Sequence, residues 1–218
     1  MHHIINDTSY RHGALASLRG LIPSRHLSYA EALRIAELQA NRLLELSGSS
    51  EQPAGAEFVA ELPRLLVKYR TLPTSGLSYW DGQQWIVGIN RDEPETRQRF
   101  TLLHEFKHII DHGHTQQLYG SDSQRAEQAA DYFAGCALMP KRLVKRAWGN
   151  GIQATPDLAQ AFDVSEPAIR VRLAQLGLTE STQRCRRPSR STAPSSRGRY
   201  YRQFSTTLTK AYLQEVPA

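Results

Sequence analysis

The sequence predicts an α+β fold, a small sheet followed by helices, and three observations carry that reading. Two short runs of strand character flank Asp81-Gly82. A stretch of helical period follows, and it contains His104-Glu105-Phe106-Lys107-His108. Beyond it, the segments 123–138, 141–148 and 155–178 all read as helix.

The chain has 218 residues, 40% of them hydrophobic, which suits one well-cored domain with an appendage. Its two cysteines, Cys136 and Cys185, exclude a disulfide framework and fit a reducing compartment. No run approaches the roughly 18 apolar residues of a membrane span. The opening, Met1-His2-His3-Ile4-Ile5-Asn6-Asp7, lacks the pattern of a signal peptide. A cytoplasmic protein with no membrane partner is therefore expected. The net charge of +6 is unevenly placed. Residues 180–218 hold eight Lys/Arg against Glu180 and Glu215, so the rest of the chain is balanced. The basic character belongs to the tail and says nothing about the body.

In chain order, residues 1–27 carry no clear signal. Ser28-Tyr29-Ala30-Glu31 reads as a capping box opening a helix to about Leu46, with Leu33, Ala36, Leu38, Leu43 and Leu44 as its apolar face. Ser47 to Gly55 breaks it. Leu65 to Tyr69 is a strand. Ser78 to Trp80 and Gln84 to Asn90 form a hairpin around Asp81-Gly82, a pair favoured in tight turns that need positive φ. This hairpin offers an edge strand on which an extended substrate can pair. A helix spans about Thr96 to Asp111, with Phe100, Leu103, Phe106 and Ile110 marking its buried side. Gly113 and Gly120 bracket a short loop. Helices follow over Ser123 to Leu138 and Lys141 to Trp148. Thr155-Pro156 opens another, with the hydroxyl as cap.

His104 and His108 are four apart, so on a helix both imidazoles reach one ion from the same face. Glu105 follows the first of them and can take a proton from water at the ion's open position. A catalytic zinc site needs a third protein ligand. Glu127, on the next helix, is the preferred candidate. Asp131, one turn on, can hold the far nitrogen of a ligand histidine. Small residues surround both, which predicts that the two carboxylates are buried and partnered. His114, six residues after His108, is the rival ligand. A return of the chain at that spacing wants Gly three residues after His108, where Asp111 stands; the glycine is Gly113. Asp111, His112 and His114 are otherwise polar residues at a helix end or site lining. Cys136 reads as a small buried apolar residue.

At this point the sequence resembles the ImmA/IrrE metallo-endopeptidases. The matching residues are the block Arg97 to His108, then Glu127 to Ala134 with Leu138-Met139-Pro140, then Leu158-Ala159 through Leu176-Gly177-Leu178. The resemblance implies a zincin-like core, a small mixed or antiparallel sheet with the His-Glu-x-x-His helix. It implies one Zn2+ per chain held by His104, His108 and Glu127, with Glu105 as catalyst and Asp131 behind the ligands. It also implies an intracellular protein substrate, typically a helix-turn-helix transcriptional repressor encoded nearby, often in a prophage or mobile element. One departure is Lys107, where many members have Gly; a long cation there is expected to line the site and alter access.

Residues 155–178 read as helix, turn, helix, with Leu158, Ala159, Phe162, Val164, Ala168, Ile169 and Leu173 as shared core and Ser165 capping the second helix. Ser165, Arg170 and Arg172 are candidates for contact with DNA or a partner protein. Glu166 and Pro167 at that helix's start are poor phosphate partners, which favours a structural or docking role. The tail from Ser181 is expected to be disordered apart from a short helix near 208–216, and to make weak, salt-dependent contact with nucleic acid. The predicted divisions are a helical region 1–56, a metallopeptidase core 57–150, a helix-turn-helix-like segment 151–179 and a basic tail 180–218. A different class, a DNA-binding regulator or antitoxin-like module with a structural or vestigial zinc site, is the alternative function.

Overall fold

The computed structural model describes residues 7–48, 53 and 55–178, with the backbone alone for 7–12. They fall in the first of the two units into which the chain divides, residues 1–180. The readings of disorder, of a helix near 208–216 and of nucleic-acid contact by the tail lie outside the described residues.

The chain enters through α1 (Asp7–Arg19), within a stretch that carries no clear sequence signal, and continues into α2 (Tyr29–Leu46). The capping box at the start of α2 forms as its residues dictate. Ser28 N–H donates to Glu31 Oε2 at 2.9 Å, and the Ser28 hydroxyl accepts from Glu31 N–H. Of the expected apolar face of α2, Ala36, Leu43 and Leu44 are buried, joined by Ala32 and Ala40; Leu33 is half-buried and Leu38 is 48% exposed. Gln39 is buried there too, and its amide donates to Leu18 O at 3.1 Å. A short α3 (Gly55–Ala60) leads to the sheet.

The sheet has strands β1 (Leu65–Arg70), β2 (Gly76–Trp80) and β3 (Trp85–Asn90) in the order β1-β3-β2. β1 pairs parallel to β3, and β2 pairs antiparallel to it. β3 is therefore central, with Ile86 to Ile89 buried. The register sets Trp80 opposite Trp85, so the turn is the four residues 81–84 rather than a tight two-residue loop. Only Gly82 takes a positive φ, +102°. Asp81 closes the turn instead, its Oδ1 accepting from the Gln83 and Gln84 amides at 2.8 Å.

Helix α4 (Glu95–Asp111) crosses beneath the sheet. Leu102, Leu103, Phe106, Ile109 and Ile110 are its buried face, and each fully buried leucine or phenylalanine contributes roughly 1.5–3 kcal/mol. Arg19 of α1 closes its far end, donating to Ile109 O at 2.7 Å and Ile110 O at 3.1 Å. A cation there also suits the negative end of the helix dipole. The loop expected between Gly113 and Gly120 is a short helix, α5 (Thr115–Tyr119). Gly113 and Gly120 bracket it at positive φ, and its Tyr119 hydroxyl donates to Asp111 Oδ2 at 2.7 Å, so a buried carboxylate also organises this turn.

Helix α6 (Ser123–Leu138) packs against both α2 and α4. Ala129, Ala130, Ala134 and Ala137 are fully buried, and their small side chains let three backbones come close. α7 (Lys141–Gly149), α8 (Thr155–Phe162) and α9 (Glu166–Gln175) complete the described chain. Leu158, Phe162, Ile169 and Leu173 join the same core as α4 and α6, with Ala168 packed against it. Ser165 caps α9 as expected, accepting from Ala168 N–H. Thr155 does not cap α8. It is the first helical residue, its hydroxyl is buried, and Ala154 holds the cap position. No helix among the described residues is long and apolar enough to cross a membrane.

Candidate metal centre

His104 and His108 occupy successive turns of α4, and their Nε2 atoms lie 3.1 Å apart. From α6, Glu127 brings Oε2 to 3.1 Å from His104 Nε2 and Oε1 to 3.4 Å from His108 Nε2. One turn further along α6, Asp131 Oδ1 accepts from His104 Nδ1 at 2.9 Å. That contact selects the ring form with its proton on Nδ1, so the Nε2 lone pair faces Glu127. A lone pair and a carboxylate oxygen at this distance repel each other unless a proton or a metal ion lies between them.

The burial of His104 by itself would lower its pKa, but the contact with Asp131 and the charges of Asp131, Glu105 and Glu127 hold it above the usual histidine value. The same acidic surroundings favour a metal ion. The residues fit one. Bonds of about 2.0–2.1 Å in tetrahedral geometry put donor atoms roughly 3.3 Å apart; here the two Nε2 atoms are 3.1 Å apart, and the two oxygens of Glu127 lie 3.1 Å from one and 3.4 Å from the other. Among the described residues, His104, His108 and Glu127 form the group whose donors converge in this way. His114 is not part of it.

Glu105 lies on the neighbouring face of α4, nearly buried, and its Oε2 accepts from the Ser78 hydroxyl at 2.7 Å. β2 comes this close because residue 76 is glycine. A Cβ there would meet Thr101 Cγ2 at 2.4 Å and Glu105 Cγ at 3.3 Å. Gly76 and Ser78 both escaped the sequence reading. The signal was present in the pattern, since Gly-x-Ser puts two small residues on one strand face where another element must approach.

Several expected site residues lie elsewhere. Glu127 and Asp131 are not buried, since both side chains are 61% exposed at the mouth of the site. The small residues around them serve the packing of α6, and the carboxylates project past it to meet the imidazoles. Lys107 does not line the site. It is fully buried and pairs with Asp111, itself buried, because position 107 faces the core rather than the ligand side of α4. His112 is exposed and packs edge-on against Trp85, ring centroids 5.0 Å apart. His114 precedes α5, and its backbone N–H donates to Asp111 O.

On α9, Arg170 is exposed and paired with Glu166 at 2.7 Å. Arg172 is not available to DNA. It is 1% exposed, its Nε donates to Met139 O at 2.9 Å, and its guanidinium lies over the Tyr132 ring. It points inward because α9 packs on α6 with that face. Cys136 is buried as read, and burial pushes its thiol up to about 11.

Residues 68–174 match the family model for the IrrE N-terminal-like domain, peptidase family M78. These residues make up an ImmA/IrrE-family metallopeptidase domain. The match runs from β1 into α9, so it includes the His-Glu-x-x-His helix, the Glu127 helix and both helices of the 155–175 segment. The α+β architecture and the converging His-His-Glu group suit the zincin core of an ImmA/IrrE peptidase. A search of curated proteins finds no match to the chain.

Proposed function

We propose that this ImmA/IrrE-family metallopeptidase is a cytoplasmic zinc endopeptidase that cuts an intracellular protein, a helix-turn-helix transcriptional repressor, and so relieves repression. The observation that carries the reading is the convergence of two imidazole nitrogens and a carboxylate beside a tethered Glu105. His104, His108 and Glu127 hold the ion, and two nitrogens with one oxygen is a donor set that suits zinc. Three protein ligands leave a coordination position for water, as a catalytic site requires. The zinc ion, when bound, polarises the peptide carbonyl and makes water acidic enough to ionise near neutral pH.

The chain's own residues supply the rest. Ser78 occupies Glu105 Oε2, which leaves Oε1 free to take the proton from the attacking water. Glu105 then delivers that proton to the departing amide nitrogen as the carbon–nitrogen bond breaks. Asp131 keeps His104 in the ring form that presents Nε2 to the ion. β2 is at the margin of the sheet beside this carboxylate, and an extended substrate segment pairs along it. The 155–175 segment docks protein rather than DNA, since one of its two arginines is buried and the other is paired within its own helix.

The test is metal analysis of the purified chain, followed by incubation with the repressor encoded nearest its gene. Wild type and Glu105→Gln are expected to retain one zinc each, with cleavage by wild type alone. Intact repressor with zinc-loaded wild type removes the substrate assignment. Equal cleavage by both forms removes the role of Glu105. DNA binding without cleavage supports a regulator.

A further inference from the structure

An open cleft of about 590 Å3 lies directly beside the metal centre, lined by residues of α2, α4, α6 and α9. Its lining is mainly apolar: Leu33, Phe100, Leu138, Met139, Ala168 and Val171. Two residues join it to the site. Asp131 is both a lining residue and the partner of His104 Nδ1. Phe100 packs against the His104 ring, centroids 6.4 Å apart. The cleft therefore begins one side chain away from the ligands.

We infer that this cleft is a specificity subsite. It takes a bulky apolar side chain of the substrate polypeptide, from a residue within about three positions of the scissile bond at roughly 3.3 Å per extended residue. The inference rests on the peptidase reading above. Three observations select this occupant. Continuity through Asp131 means that a chain threaded over the ligands passes the cleft's mouth. The apolar lining rewards an aliphatic or aromatic side chain and penalises a charged one. Val171 is 58% exposed on a helix whose neighbouring Arg170 is tied up with Glu166, so α9 turns a bare apolar side chain toward the opening. The cleft is also preformed, because the buried Arg172 fastens α9 to Met139 O at the end of α6. Its volume is within the range of about 300–1,000 Å3 usual for binding pockets.

The experiment uses the zinc-loaded full chain and a peptide mixture made by digesting a whole-cell proteome, with cleavage sites read by mass spectrometry. Wild type is expected to prefer Leu, Ile, Met or Phe over Asp, Glu or Lys by roughly tenfold at one fixed position near the cut. Val171→Arg alters an exposed site, so the fold should survive it; Ala168→Phe fills the cleft without adding charge. Each is expected to collapse that preference, and Leu38→Arg, an exposed leucine outside the cleft, is expected to leave it intact. Glu105-dependent cleavage with the same residue profile in both cleft variants overturns the subsite and spares the peptidase. No Glu105-dependent cleavage at all overturns the peptidase reading and this inference with it. A uniform rise in cleavage with an unchanged profile means that the chain's own residues 179–218 occupy the cleft. A change in oligomeric state by light scattering, again with an unchanged profile, means that a second copy does. Either result overturns the proposal.

Discussion

His104 Nδ1 stands 2.9 Å from Asp131 Oδ1, and Asp131 is one helical turn beyond Glu127, whose carboxylate meets the same ring's other nitrogen. One helix thus supplies both the partner that orients a ligand and a ligand of its own. Replacing Asp131 with Asn keeps a side chain of similar shape and removes the charge. Its side chain is 61% exposed, so the fold should be little affected. The expected result is zinc affinity weakened by roughly 10–100-fold, measured by competition with a chromophoric chelator. Unchanged affinity would mean that the ring is held by the core packing of α4 alone.

The second prediction concerns the tether on Glu105. Ser78→Ala removes the donor to Oε2 and leaves the carboxylate free to rotate away from the ligand side. Hydrogen bonds to charged groups contribute about 1.5–3 kcal/mol, so kcat should fall by roughly tenfold or more. KM should change little, because the hydroxyl faces Glu105 and not the outer edge of β2. Ser78→Thr, which keeps the hydroxyl in a strand-compatible residue, should recover most of the rate. A rise in KM at constant kcat would instead assign Ser78 to substrate binding.

A third prediction follows from the start of α2. Glu31 accepts from the Arg25 guanidinium, the Ser28 amide and the Ser28 hydroxyl. These contacts, the Arg25 hydrogen bond first, lower its pKa from 4.5 to about 2. A carboxyl whose folded value is depressed stabilises the fold fully above its unfolded value and loses that contribution as pH falls through the folded one. Wild type should therefore melt above Glu31→Gln at neutral pH. The gap should close between pH 4.5 and about 2, and it should be smaller in high salt because the pair is exposed. A gap that persists at pH 2 would place the effect in packing.

Local chemistry made most of the fold legible. The capping box, Pro140 and the Gly-containing breaks bounded α2 and α6 because each uses residues whose hydrogen bonding or φ preference acts within a few positions. The metal group was legible for a similar reason, since four-residue spacing on α4 and on α6 fixes the facing of each pair before any packing is known. What stayed hidden depends on contacts distant in sequence. α1 is stabilised by burial of Ala14 and Leu18 and by its Arg19 contact with α4, about 90 residues away. α5 forms around a buried carboxylate, and nothing in Thr115 to Tyr119 announces that. Glu127 and Asp131 were read as buried because alanines flank them, but a helix can bury its alanine face and still project longer side chains past the rim. The sequence offers Arg172 as a candidate for contact with DNA or a partner, yet an arginine whose Nε finds a carbonyl at a helix end can lie fully inside.

The last prediction separates stability from substrate choice at Lys107. The ammonium is fully buried one residue before His108, on the opposite side of α4, and donates to Asp111 Oδ1 while Tyr119 serves Oδ2. Burial lowers the lysine's pKa, and the neighbouring carboxylate opposes that shift. Lys107→Met leaves Asp111 buried with one neutral donor, and breaking a buried pair in this way typically costs about 3–5 kcal/mol. The double variant Lys107→Met/Asp111→Asn removes both charges, keeps an acceptor for Tyr119 and should regain most of the loss. Denaturant midpoints measure both effects. Because the side chain never reaches the cleft or the edge strand, the residue profile around the cut should match wild type in the folded double variant. An altered profile at unchanged stability would return Lys107 to the substrate channel and contradict its burial.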